Sequence, residues 1–268
     1  MDRKAAQAGR FYPGTPEKLT HAVQSYLEPL RESEIPALGV ISPHAGYVYS
    51  GSVAGHLLAS VEIPDSVVMM GPNHTGRGRR AAILSDGVWH LPGIEAAVDH
   101  QLATTLKAKC PLLEEDYLAH EYEHGLEVQL PFLLRRNPRA RHVPIVLGRL
   151  SYRECERLAA ALVEAVDELG RRVLLLASSD MNHFEDAETT RRKDFLAIER
   201  VLAGDAPGLF RVIAEHGISM CGFIPTAIML LAAKRLGASS IELLEYKHSG
   251  EVNGDNSSVV GYASVAAW

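Results

Sequence analysis

Short apolar runs alternate along the chain with longer stretches in which apolar residues return every three or four positions. The runs fall at residues 38–42, 66–71, 81–85, 142–147, 172–178, 241–246 and 259–265, and their length predicts strands. The amphipathic stretches at 52–61, 95–109, 124–135, 152–169, 187–203, 206–215 and 225–236 predict helices. Ser151 stands three residues before Glu154, the spacing of a capping box, which sets the start of the 152–169 helix. Strands alternating with helices in this way predict an α/β fold, a central mixed and mostly parallel sheet flanked by helices. No Pro/Gly/Ser linker, low-complexity tract or repeat interrupts the pattern, so a single domain over 1–268 is expected.

Composition narrows the class without choosing a function. With 268 residues, 47% hydrophobic and 22% charged, the chain lies in the globular range and is neither disordered nor fibrous. Its longest apolar stretches, 173–177 and 224–233, fall well short of the roughly 20 residues that span a bilayer. The start, Met1-Asp2-Arg3-Lys4, leads into no apolar signal core, and a soluble cytoplasmic protein is expected. A net charge of -6 offers no general attraction for nucleic acid or an anionic membrane, so neither is expected as a partner. Cys110, Cys155 and Cys221 are odd in number and widely spaced, which suits free thiols better than disulfides or a zinc knuckle.

Candidate chemistry collects where the strands end, the edge at which open α/β sheets bind ligands. The run 38–41 leads into Ser42-Pro43-His44-Ala45-Gly46-Tyr47, and the run 67–70 into Gly71-Pro72-Asn73-His74-Thr75-Gly76. The run 173–176 leads into Ala177-Ser178-Ser179-Asp180-Met181-Asn182-His183. Parallel strands of one sheet would therefore deliver His44, His74 and His183 to one edge, where imidazoles suit a metal. Pro43, Pro72, Gly46, Gly71 and Gly76 fit tight turns that hold such ligands in place. Cys221, in Ile218-Ser219-Met220-Cys221-Gly222-Phe223, is either a small buried hydrophobe or, if its loop faces the histidines, a soft ligand for iron, copper or zinc. Cys110 and Cys155 read as structural.

In Glu121-Tyr122-Glu123-His124-Gly125-Leu126-Glu127, His124 and Glu127 share one face at a helix start. Either His124 contacts substrate with Glu127 orienting it, or the two form an exposed capping pair. Tyr47 and Asn73, inside the strand-end turns, are further candidates for substrate contacts. Of the remaining histidines, His21, His56, His90, His100, His120, His142 and His216 read as surface or packing residues, and His248 could rim the pocket.

Taken together, Ser42-Pro43-His44-Ala45-Gly46-Tyr47, Gly71-Pro72-Asn73-His74, Glu123-His124-Gly125-Leu126-Glu127-Val128-Gln129-Leu130-Pro131, Ser178-Ser179-Asp180-Met181-Asn182-His183 and Cys221-Gly222 resemble the Memo family in order and spacing. Prokaryotic members of that family are called component B of the AmmeMemoRadiSam system, after companion proteins. The likeness runs from Ala8-Gly9-Arg10-Phe11-Tyr12-Pro13 to Asp255-Asn256-Ser257-Ser258-Val259. It implies a domain similar to the class III extradiol dioxygenases of the LigB type. It also implies a metal pocket made by His44, His74 and Cys221, lined by Asp180 and His183, and a functional link to AMMECR-like and radical SAM proteins. Those dioxygenases hold Fe(II) with two His and one carboxylate, whereas here a Cys stands at the carboxylate's place.

Two functions follow as expectations. In the first, the chain is a metal-dependent oxidoreductase, dioxygenase-like, with iron or copper on His44, His74 and Cys221. His183 is then acid or base, and Asp180 fixes its tautomer or approaches the metal. A zinc hydrolase with a metal-bound water is a variant. In the second, the chain is a non-catalytic adaptor that keeps the pocket and binds a peptide or small molecule.

Overall fold

Four parallel strands make the centre of the sheet: Gly39–Ser42, Leu174–Ser178, Ser66–Pro72 and Arg141–Leu147, side by side in that order. The computed structural model describes residues 2–29 and 34–268. Along each central strand successive residues face opposite ways. Val68, Met70, Val143, Ile145 and Leu175 enter one core, while Val67, Met69, Val146, Leu174 and Leu176 enter the other. Strands buried on both faces carry apolar residues at every position, which is why they read as unbroken runs.

Beside Gly39–Ser42 lies the antiparallel Val259–Ala267 strand, which also pairs with Ile241–His248 and with the short His183–Glu185. At the far edge Ala81–Ile83 runs antiparallel to Arg141–Leu147 and carries Glu114–Glu115. Helices His100–Lys109, Tyr152–Leu169, Ala187–Leu202, Ala206–His216 and Phe223–Arg235 cover one face through residues such as Leu106, Leu158, Ile198, Leu209 and Ile228. Pro16–Leu27, Tyr47–Ser60 and Leu130–Arg136 cover the other through Leu19, Leu57 and Phe132. The result is the expected α/β domain with a mixed sheet. Among the described residues no helix is long and apolar enough to cross a membrane.

Three elements depart from the periodicity reading. The expected 95–109 helix is a strand, Ile94–Ala97, followed by a helix that begins at His100. Pro92 and Gly93, the latter at φ 71°, turn Ile94–Ala97 back onto Val88–Leu91, and the Asp99 side chain caps the helix at Leu102 N–H. The expected 124–135 helix breaks into His124–Glu127 and Leu130–Arg136, the second opening with Pro131, which has no N–H to offer a preceding turn. Pro16–Leu27 lies in a region where no helix was expected, although Thr15 before Pro16 is a serviceable start signal. Tyr152–Leu169 begins and ends where the sequence reading put it, with both halves of the capping box formed.

Because the four central strands point one way, the segments after Ser42, Pro72 and Ser178 leave the sheet at one edge. That edge carries the chemistry.

Candidate metal centre

His44 leaves the end of its strand almost fully buried. Its Nδ1 lies 2.8 Å from Ser178 Oγ, and the Ser178 hydroxyl donates its own proton to the Gly125 carbonyl at 2.5 Å. Ser178 Oγ can then only accept from His44, so the imidazole carries its proton on Nδ1 and presents a bare Nε2. Gln129 stiffens the arrangement by donating to Pro43 O at 2.9 Å and Ser178 Oγ at 3.2 Å, while accepting from the Ser42 hydroxyl at 2.8 Å. Burial, and after it the neighbouring His74, push His44 well below its ordinary range, so the ring is neutral.

Glu123 does for His74 what Ser178 does for His44. Its Oε1 lies 2.7 Å from His74 Nδ1 and accepts Gly125 N–H at 2.9 Å, while Oε2 accepts His74 N–H at 2.7 Å. Burial opposes charge on this carboxylate, but the hydrogen bond from His74, the electrostatic pull of the His74 and His124 rings and the Gly125 N–H outweigh it and hold its pKa at about 2. A charged acceptor fixes the His74 proton on Nδ1 and again leaves Nε2 open to a metal. His124 stacks on His74 with centroids 4.3 Å apart and meets Phe11 at 4.4 Å on the other side. Burial first, then His44 and His74, lower His124 to about 3, so it too is neutral at physiological pH.

Cys221 reaches this pair from the loop before Phe223–Arg235. Its Sγ lies 3.2 Å from His44 Nε2 and accepts the Asp180 N–H at 3.3 Å. The loop presses so closely on the strand end that a Cβ at Gly222 would stand 2.4 Å from Ser178 O. Only glycine allows that approach. Burial, followed by the charge of Asp180, pushes the thiol up, so ion binding would release its proton. Asp180 Oδ1 accepts the backbone N–H of His44 at 2.7 Å, and burial raises its pKa.

The donor set fits a metal. Ligand atoms of His44, His74 and Cys221 lie within 4.8 Å of one another. Tetrahedral coordination by sulfur and imidazole nitrogen separates two ligand atoms by about 3.5 Å, so the Cys221–His44 pair needs to part only slightly. Ligand atoms of His74, Glu123 and His124 also lie within 4.8 Å of one another. Glu123, however, already accepts three N–H groups and serves better as the partner of His74 than as a ligand.

The other expected site residues are placed as follows. His183 is half-buried and near enough to His44 and Asp180 for electrostatic coupling to both. Its Nδ1 lies 3.0 Å from the Ser219 carbonyl, so Ser219, and not Asp180, sets its tautomer. Glu127 turns away from His124 and is fully buried, with its carboxylate on Arg3 and Tyr12. Tyr47 is buried and donates to Val128 O at 2.7 Å. Asn73 is spent on its own turn: Oδ1 accepts from Thr75 and Gly76, and Nδ2 donates to Arg77 O.

A family model described as "Memo-like protein" matches residues 3–266. The chain belongs to the Memo family. It is 39% identical to a MEMO1 family protein of Methanopyrus kandleri, over 99% of this chain and 98% of that one. It is 40% identical to a MEMO1 family protein of Methanosarcina barkeri, over 98% of both chains, and 40% identical to one of Pyrobaculum arsenaticum, again over 98% of both.

Several residues that build this Memo family site are not marked by the strand-end reading. Ser178 and Gln129 look like ordinary polar residues in sequence, and Glu123 is one of three acids in seven positions, with no local signal for which turns inward. Glu123→Gln keeps the volume but replaces one accepting oxygen by an NH₂ group. Zinc affinity, read by chelator competition, is expected to fall about 10- to 100-fold, as when the outer partner of a ligating histidine is lost. An unchanged affinity would remove Glu123 from the site.

Proposed function

We propose that this chain holds a transition metal on His44, His74 and Cys221 and uses it as a redox enzyme on a small molecule bound at the same sheet edge. The observation that carries the reading is the pair of histidines whose Nδ1 protons are each committed to a buried acceptor, with a thiol 3.2 Å from one bare Nε2. Two imidazoles and a thiolate select Fe(II), copper or Zn(II) over hard Mg(II), and we favour iron. Bound iron or copper would supply electron-transfer and Lewis-acid chemistry.

The chain's own groups supply the rest. His183, with Nδ1 given to Ser219 O, keeps Nε2 as the nitrogen that takes or returns a proton. His124 and Phe11 form a flat wall beside His74. Asp180 holds the His44 backbone and keeps a negative charge near the thiol.

The test is metal analysis of anaerobically purified protein, followed by O₂ uptake with a panel of catechols, on the parent and on His183→Ala. The expected result is metal in both, with turnover in the variant lower than in the parent by about 10²-fold or more, the range of a lost general acid or base. Loss of metal from His183→Ala to the extent seen in His44→Ala would make His183 a ligand. One observation favours an adaptor instead: the exposed apolar side chains Val48, Tyr49, Tyr122 and Phe184 lie close in sequence to His44, Glu123 and His183. A metal-loaded parent with no turnover, and full biological activity in His183→Ala, would decide for that reading.

A further inference from the structure

His183 and Cys221 come from different loops, and their heights at the pocket must agree if one is to act on what the other helps to hold. Two polar residues that hydrogen-bond to none of the metal ligands join these loops. Asn182 is fully buried, and its Oδ1 accepts both the N–H and the hydroxyl of Ser219, each at 3.0 Å. Its Nδ2 donates to Glu185 at 2.6 Å, and its backbone N–H donates to Asp194 Oδ1 at 2.7 Å. Ser219 closes the clip from the other side. Its Oγ accepts His183 N–H at 2.8 Å, and its carbonyl lies 3.0 Å from His183 Nδ1. Two residues further on is Cys221, with Met220 between them buried in the core.

We propose that Asn182 and Ser219 are a positioning pair that locks His183 in its Nδ1–H form and ties the His183 loop to the Cys221 loop.

The hydrogen-bond inventory supports this directly. A hydroxyl has one proton, and Ser219 has Asn182 Oδ1 at 3.0 Å as a nearer acceptor than the His183 carbonyl at 3.5 Å, so toward the His183 N–H its Oγ accepts. The Ser219 carbonyl can only accept, so the ring nitrogen 3.0 Å from it must be the donor, and His183 carries its proton on Nδ1. An amide at 182 supplies an acceptor toward Ser219 and a donor toward Glu185 in the same plane, which neither Asp nor Ala can do. Asn182 is fully buried with its side-chain oxygen and nitrogen both partnered, so its removal takes away the one anchor that ties Ser219 and Glu185, nearer the surface, to the core. Phe184 follows at φ 63°, a left-handed backbone on a non-glycine residue, so the chain is bent sharply just after the held histidine.

The proposal rests on the metal-site reading only for its Cys221 half, and the test separates the two. Imidazole ¹⁵N spectra of the metal-free full chain, with His183→Gln to assign the signal, should show His183 in the Nδ1–H form. In Asn182→Ala the signal should shift toward the Nε2–H form that free imidazole side chains favour. Zinc affinity should fall about 10-fold, with His44 and His74 untouched. Ser219→Ala, which keeps the carbonyl and is the milder change should Asn182→Ala fail to fold, is expected to move both readouts in the same direction by less. A parent whose His183 is already Nε2–H, or variants in which stability drops while tautomer and zinc affinity stay put, would overturn the proposal. A parent that binds no zinc would defeat the metal reading and leave the tautomer result to decide the His183 half.

Discussion

Cys221→Ala is expected to weaken zinc and ferrous iron binding by at least about 100-fold, and the triple variant His44→Ala, His74→Ala, Cys221→Ala to abolish retention through gel filtration. The single change removes one of three donors and the only anionic one, so it must cost more than the roughly 10- to 100-fold lost with an outer hydrogen-bond partner. Ser178→Ala provides the graded comparison: His44 stays but its Nδ1–H loses its acceptor, and a loss within that smaller range is expected. Cys221→Glu sharpens the test by restoring a carboxylate to two imidazoles. A hard oxygen in place of a soft sulfur should move the iron-to-copper affinity ratio toward iron, while a side chain longer by two heavy atoms costs affinity for both. Equal metal content in the parent and the triple variant would refute the site altogether. A ratio untouched by Cys221→Glu would place Cys221 outside the coordination sphere and make Asp180, whose backbone N–H already meets the sulfur, the next donor to examine.

How much of this was legible beforehand divides along a physical line. Strands buried on both faces announce themselves because every side chain must be apolar, and parallel order puts their ends together, so His44, His74 and His183 could be brought to one edge from spacing alone. The Tyr152–Leu169 helix was readable to its ends because its cap is local: Ser151 and Glu154 bond to each other's backbone. Contacts made across the fold had no such signature. Nothing near Ser178 in sequence says that it accepts from His44, and nothing near Ser219 says that it receives His183, 36 residues away. The Pro92–Gly93 hairpin was lost for the opposite reason: the residues around Ile94 fit a helical period, and the turn that overrules it is two residues long.

Glu127 is the clearest such case, and its removal is expected to be the most destabilising single change in the chain. The acid sits where a capping or orienting residue would be expected, yet it closes a buried ion pair with Arg3, Nη1 to Oε2 at 2.6 Å and both side chains almost wholly inaccessible. Arg3 also donates to His120 O at 2.7 Å and Glu123 O at 2.9 Å, and its guanidinium lies 4.1 Å from the Trp89 ring centroid. Glu127 accepts in addition from Ala6 N–H, Gln7 N–H and the Tyr12 hydroxyl, so one carboxylate pins the 3–12 segment against the His124–Glu127 helix. Glu127→Ala strands a buried guanidinium and three donors, and a cost of about 3–5 kcal/mol is expected. In a chain of this length that is on the order of a 10 °C fall in Tm. Because Arg3 holds the Glu123 carbonyl, the loosening should reach the His74 anchor and lower zinc affinity as well. The decisive comparison is the double variant Glu127→Ala, Arg3→Met, read by urea titration. If the penalty is an uncompensated charge, removing Arg3 too should return part of the stability, since an apolar chain of similar length can pack on Trp89 without desolvating a cation. A double variant less stable than Glu127→Ala alone would mean that Arg3 earns its place through the His120 and Glu123 carbonyls, and that the ion pair contributes little of the hold on the N-terminal segment.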